Sequence, residues 1–157
     1  MKHFDYNTPG QYSYEDALRV IQQLNLGYPA MKELYRRMIF NVLARNQDDH
    51  TRNIEFLMGA DGIWRLAPAY DMTWSYRQDS PWVSRHQMRI CGKTDGFTKE
   101  DFFTVAKQFG IRKADNILHQ VYTAVKKWRE FAAQANVARN MIETIAATHR
   151  LGIIDRE

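Results

Sequence analysis

Met31, Leu34, Tyr35, Met38, Ile39, Val42 and Leu43 recur at the spacing of one helical face, in a stripe two residues wide. A stripe of that width marks a helix buried along one whole side, so neighbouring segments must supply a matching apolar surface. Pro29 suits the first turn of this helix, which is expected to end near Arg45 or Asn46.

Further helices follow from the same periodicity. Ser13 with Asp16 has the spacing of a capping box and opens a segment carrying Tyr14, Ala17, Leu18, Ile21 and Leu24, which Gly27 should stop. Thr98 with Asp101 opens another, with Phe102, Val105, Ala106 and Phe109 on one face and Gly110 at its end. Ala114, Ile117, Leu118, Val121, Ala124, Val125 and Trp128 form the longest clean stripe. Val137, Met141, Ile142 and Ile145 give a last helix, closed by Gly152.

The middle of the chain has a different period. Ile54–Met58 and Ile63–Leu66 are short and apolar-rich, with Gly59-Ala60-Asp61-Gly62 between them, which predicts a β-hairpin with a four-residue loop. Pro68 ends the ladder. Residues 72–86 lack periodicity and read as a loop, and His86–Cys91 as one more short strand before Gly92. The expected fold class is mainly α with a small β-hairpin, in a single domain over 1–157.

Composition narrows the function. The chain has 157 residues, 45% of them hydrophobic and 25% charged, in the globular range. No apolar run reaches the roughly 18 residues of a membrane span, and the N-terminus has no signal-type stretch, so no membrane association and a cytoplasmic location are expected. The single cysteine, Cys91, excludes an intramolecular disulfide and a cysteine-only metal cluster. Residues 1–80 carry a net −1 and residues 81–157 a net +5, a mild basic bias in the second half.

Chemistry concentrates in Asn46-Gln47-Asp48-Asp49-His50-Thr51-Arg52-Asn53. Two carboxylates, an imidazole and amides stand between an apolar helix and an apolar hairpin, where rigid neighbours hold side chains still. Asp48 and Asn53 are five apart, the interval that protein kinases use in the catalytic loop for a base and a magnesium-binding amide. That mechanism needs a further metal-binding carboxylate beyond a hairpin, and Asp71 follows the second strand.

Asn41-Val42-Leu43, Asn46 to Asn53, Trp64 to Asp71, and His86-Gln87-Met88-Arg89-Ile90-Cys91-Gly92-Lys93 resemble the C-terminal domain of HipA-family toxins, bacterial serine/threonine kinases of toxin–antitoxin modules. The helical remainder, including Trp128-Arg129-Glu130-Phe131-Ala132, is also similar. The resemblance implies a kinase-like C-lobe that transfers the γ-phosphoryl group of ATP to a protein. Asp48 would be the catalytic base, Asn53 and Asp71 magnesium ligands, and His50, Asn53 and Asp71 the groups near the nucleotide. ATP and Mg2+ are the implied cofactors. The implied partners are a protein substrate, aminoacyl-tRNA synthetases being family targets, and a helix-turn-helix antitoxin that reaches operator DNA. The kinase N-lobe has no counterpart here: no Gly-x-Gly-x-x-Gly or P-loop pattern precedes Asn46, so little or no activity is expected of these residues alone, unless a separate chain supplies the N-lobe.

Two alternatives differ in class. Asp48-Asp49-His50 could begin a metallohydrolase site, but His3, His86, His119 and His149 are not spaced as further ligands. His119 and His149 are expected as polar residues on helix surfaces. The chain could instead be a non-catalytic module that binds an antitoxin or nucleic acid through Lys126, Lys127 and Arg129.

Overall fold

A computed structural model describes residues 8–155. Among them run α1 (Tyr14–Gln23), α2 (Gly27–Leu43), a 3-10 turn (Thr51–Asn53), β1 (Phe56–Met58), β2 (Trp64–Leu66), α3 (Lys99–Gln108), α4 (Ala114–Lys126), α5 (Trp128–Gln134), α6 (Arg139–Ala146) and α7 (Gly152–Asp155). The architecture is mainly helical with one two-stranded antiparallel hairpin, as expected. No helix among the described residues is long and apolar enough to cross a membrane.

The striped helix α2 is central. It packs on α1 along one side and on α4 along the other, while α3 leans on α4 and α5 on α6. Leu34, Tyr35, Met38, Ile39, Val42 and Leu43 are completely buried. Burying each such side chain contributes about 1.5–3 kcal/mol, which outweighs the weak local preferences within α2. The Tyr35 hydroxyl donates to the Phe102 carbonyl at 3.0 Å, tying α2 to α3.

Both capping boxes form. The Ser13 amide donates to Asp16 Oδ2 at 2.9 Å while Ser13 Oγ accepts from the Asp16 amide at 3.1 Å. The Thr98 amide donates to Asp101 Oδ2 at 2.8 Å. Asp101 also holds Lys93 Nζ at 2.8 Å.

The helix ends differ from expectation in an instructive way. Asn25, not Gly27, stops α1: it adopts φ 52°, and the Leu26 amide reaches back to the Ile21 carbonyl at 3.1 Å. Gly27 instead begins α2. Arg45 at φ 59° ends α2 in the same way, with the Asn46 amide on the Asn41 carbonyl at 2.8 Å. Asparagine and arginine here take the left-handed position that glycine usually fills. Gly110 does end α3, at φ 65°. The Ala114–Trp128 stripe is broken at Lys127, so that Trp128 opens α5. Gly152 opens α7 rather than closing α6, and Met141 of the last stripe is 42% exposed.

The hairpin pairs Phe56 with Leu66 and Met58 with Trp64, and its loop is five residues, Gly59 to Ile63, one more than expected. Phe56 and Leu66 pack on the core. Further out, Leu57, Met58, Ile63 and Trp64 are exposed. His86–Cys91 is not a regular strand. Arg89 bridges Ser13, and Ile90 and Lys93 exchange bonds of 3.0 Å across Cys91 (φ 50°) and Gly92 (φ 79°). Positive φ at both central residues makes this a two-residue I′ turn, which takes up the positions a longer strand would have needed. Burial, followed by the charge of Glu15, raises the Cys91 thiol pKa, which fits an inert residue.

Residues 72–86 form a loop, as expected, and it is firmly attached. The Trp74 indole donates to Thr148 Oγ1 at 2.8 Å, and the Arg45 guanidinium lies 3.4 Å over the Tyr76 ring. Trp82 stays 55% exposed. His149 is not on a helix surface: it follows α6, is half-buried, and meets Trp128 edge-on. His119 is exposed on α4, as expected.

Candidate functional site

The left-handed turn at Arg45 throws the chain off the end of α2 and against Ser75. The Gln47 amide donates to the Ser75 carbonyl at 2.9 Å, and the Ser75 amide to the Arg45 carbonyl at 3.2 Å. With its amide oriented to satisfy both neighbours, Gln47 also bonds the Val83 carbonyl at 3.0 Å and accepts from Arg150 Nη2 at 2.8 Å. Residues 48–50 then run extended into the 3-10 turn.

Asn53 closes this loop on itself. Its Nδ2 donates to the main-chain carbonyl of Asp48 at 2.9 Å. The five-residue interval is therefore a closed ring. Its Oδ1 accepts no hydrogen bond among the described residues. Asp71 comes from the far side of the hairpin at φ 54°, a conformation that costs most side chains about 1–2 kcal/mol and that aspartate tolerates better. The Asp71 carbonyl accepts from Asn46 Nδ2 at 3.2 Å. Its carboxylate is exposed and makes no hydrogen bond or ion pair among the described residues.

His50, Asn53 and Asp71 line one narrow pocket of about 10 Å3. Asp48 shares their loop and touches Asn53, but it is not part of that wall. Among the described residues no three His, Cys, Asp or Glu side chains are grouped to hold a metal by themselves, so the metallohydrolase alternative lacks its ligands. The available donors are the Asp71 carboxylate and the Asn53 amide oxygen. Hard oxygens in an incomplete set suit magnesium, which keeps waters and takes substrate phosphates as ligands. They do not suit a closed zinc site.

Several residues of the site have no assigned role in the reading of the sequence. Asp49, almost completely buried, is its polar hub. Asp49 Oδ2 accepts from the Tyr14 hydroxyl at 2.8 Å and lies 2.8 Å from His86 Nδ1, while Oδ1 accepts from the Gln87 amide at 2.8 Å. These three partners satisfy a polar group that would otherwise be costly to bury. Burial first, and then the neighbouring Asp49 charge, push the Tyr14 pKa well above the usual tyrosine value. Tyr14 is thus a fixed donor to Asp49, and its oxygen is left to accept from Asn41 Nδ2 at 2.8 Å. His86 is fully buried with its ring edge-on to Phe97, and Nε2 has no hydrogen-bond partner among the described residues. Arg37, also buried, donates to the Ala67 carbonyl at 2.9 Å and to Glu33 at 3.0 Å, joining α2 to the exit of β2. Asn41 and Arg37 sit on a helix among apolar neighbours, where a polar residue looks like the solvent side, and Tyr14 reads as one more member of an apolar stripe. The one usable signal was the pairing of Asp49 and His86 within the motifs already singled out.

The profile of the HipA-like C-terminal domain matches residues 1–129. That span holds α1 to α4, the polar loop, the hairpin and Asp71, and ends in the first turn of α5. No curated protein matches the sequence at a significant level. A match over this much of the chain, carrying the same loop and hairpin that the geometry singles out, makes the chain a member of the HipA-like C-terminal domain family.

Proposed function

We propose that this chain is the base- and metal-bearing half of a HipA-like serine/threonine kinase, equivalent to a kinase C-lobe, acting on a protein with Mg2+ and ATP. The observation that carries this reading is that Asn53 and Asp71, whose Oδ1 and carboxylate make no hydrogen bond among the described residues, line the same pocket beside a loop closed by the Asn53–Asp48 bond. In this reading Asp48 takes the proton of the acceptor hydroxyl. Asn53 and Asp71 hold the cation, and His50 faces the phosphates. The cation would neutralise charge developing on the transferred phosphoryl group. A protein substrate and a helix-turn-helix antitoxin on operator DNA belong to the same proposal.

The alternative, a module that binds an antitoxin or nucleic acid through its basic half, draws less support. Arg129 is already committed to Glu143 at 2.8 Å and Lys126 Nζ to the Tyr122 hydroxyl at 3.4 Å, which leaves the basic cluster largely engaged within its own helices.

The test is Mn2+ binding to the chain in the presence of ATP, read by electron paramagnetic resonance, with phosphoryl transfer followed in parallel. Asp71→Asn should weaken Mn2+ binding by at least about tenfold, roughly the 1.4 kcal/mol of one lost charged ligand. Asp48→Ala should leave binding intact and remove whatever transfer occurs. Equal Mn2+ affinity in the wild type and Asp71→Asn would overturn the proposal.

A further inference from the structure

The hydrogen bonds behind the pocket form one unbroken path. Asn46 Nδ2 donates both to the Asp71 carbonyl at 3.2 Å and to Asn41 Oδ1 at 3.0 Å. Asn41 Nδ2 donates to the Tyr14 hydroxyl at 2.8 Å, and Tyr14 donates to Asp49 at 2.8 Å. His86 Nδ1 and the Gln87 amide meet the same carboxylate from the other side. Tyr14, Asn41, Asn46, Asp49 and His86 are all at most 7% exposed.

The path has a direction. From Asn46 through Asn41 and Tyr14 each donor in the path points toward Asp49, so the acceptor at its end sets which way each amide and hydroxyl faces. Chains oriented in this way polarise one another, and buried members have no water to replace a lost partner. Both protons of Asn46 are therefore spoken for, and one of them holds the main chain where Asp71 adopts its left-handed conformation. The path also spans the fold: it begins where α1 meets the 86–89 segment, crosses α2 at Asn41, and ends beyond the hairpin.

We propose that Asp49, Tyr14, Asn41 and Asn46 are positioning residues, a buried one-way hydrogen-bond chain that sets the loop 46–53 and the main chain at Asp71 from the α1 side of the fold. What it positions rests on the metal-binding reading of Asp71; that it positions the segment does not.

Tyr14→Phe removes one hydroxyl and keeps the ring. Asn41→Leu, a second variant with the same branching and heavy-atom count, breaks the path one step further on. In both, the amides of Gln47 and Ser75, which clasp the polar loop to the next segment, should exchange with solvent about tenfold faster, while the amides of β1 and β2 keep their rates. Tyr35→Phe is the control. It removes an equally buried hydroxyl, bonded to Phe102 rather than to the path, and should leave Gln47 and Ser75 exchange unchanged. Unchanged exchange at Gln47 and Ser75 in both test variants would overturn the proposal, as would a loss spread evenly over the molecule, the mark of a merely structural role. Mn2+ binding in the same samples separates the two ideas. Faster loop exchange with about tenfold weaker Mn2+ binding supports both. Faster exchange in a protein whose wild type binds no Mn2+ sustains the positioning chain and removes the metal reading.

Discussion

Asn25, Arg45 and Asp71 occupy backbone conformations that their side chains disfavour, and they do different things there. Asn25 is exposed and only ends a helix. Asn25→Gly should raise stability by about 0.5 kcal/mol and Asn25→Ala should lower it by about 1 kcal/mol, both read from urea midpoints. Arg45 ends a helix and also covers Tyr76, so glycine would relieve its backbone and cost it a stacking contact. Asp71 is the informative case, since strain held at an exposed acidic residue that lines a pocket is of the kind found at functional sites. At this scale the sequence was partly legible. Gly27 looked like the stop because glycine is the commonest left-handed residue, and nothing in the sequence marked Asn25 as taking that role two residues earlier.

Elements were legible where periodicity and caps agreed. Ser13 with Asp16 and Thr98 with Asp101 placed two helix starts, and the Met31–Leu43 stripe placed the central helix. Periodicity alone could not find the break at Lys127, because an apolar stripe continues across a change of helix axis when both helices face the same core. The break matters for His149, whose ring packs against Trp128 at the start of α5. Burial, aided by the positive charge of Arg129, lowers the His149 pKa below its ordinary 6.5. The folded protein therefore binds this proton less readily than the unfolded chain does. The stabilisation is complete above pH 6.5 and is lost as pH falls from there through the lowered folded value. Urea midpoints should fall over that window, and His149→Phe should flatten the slope.

The molecule as a whole explains which parts of the candidate site could be read in advance. Asp48, Asn53 and Asp71 stood out because their spacing carries a chemical meaning, and His50 through the family resemblance. The connection of Tyr14, Asn41 and Asn46 did not, because it is assembled across α1, α2 and the polar loop, and only the tertiary fold brings an apolar stripe, a helix end and the polar segment into one hydrogen-bond chain. The same holds for the last third of the chain. The Arg150 amide donates to the Leu43 carbonyl at 2.9 Å, Arg150 Nη1 meets Asp95 at 2.6 Å, and Thr148 receives the Trp74 indole. Ending the chain after residue 129, where the family match stops, removes all of these contacts. Such a truncation should lower the thermal midpoint by at least about 5 °C, the shift that roughly 2 kcal/mol produces in a domain of this size, as calorimetry would show.

Arg150 thus makes the boundary of homology and the boundary of folding two different places. It fastens a tail outside the family match to the last turn of the helix that carries the polar loop. A library of excised domains cut by similarity alone would discard that fastener and then record the loosened product as a natural weakness of the family.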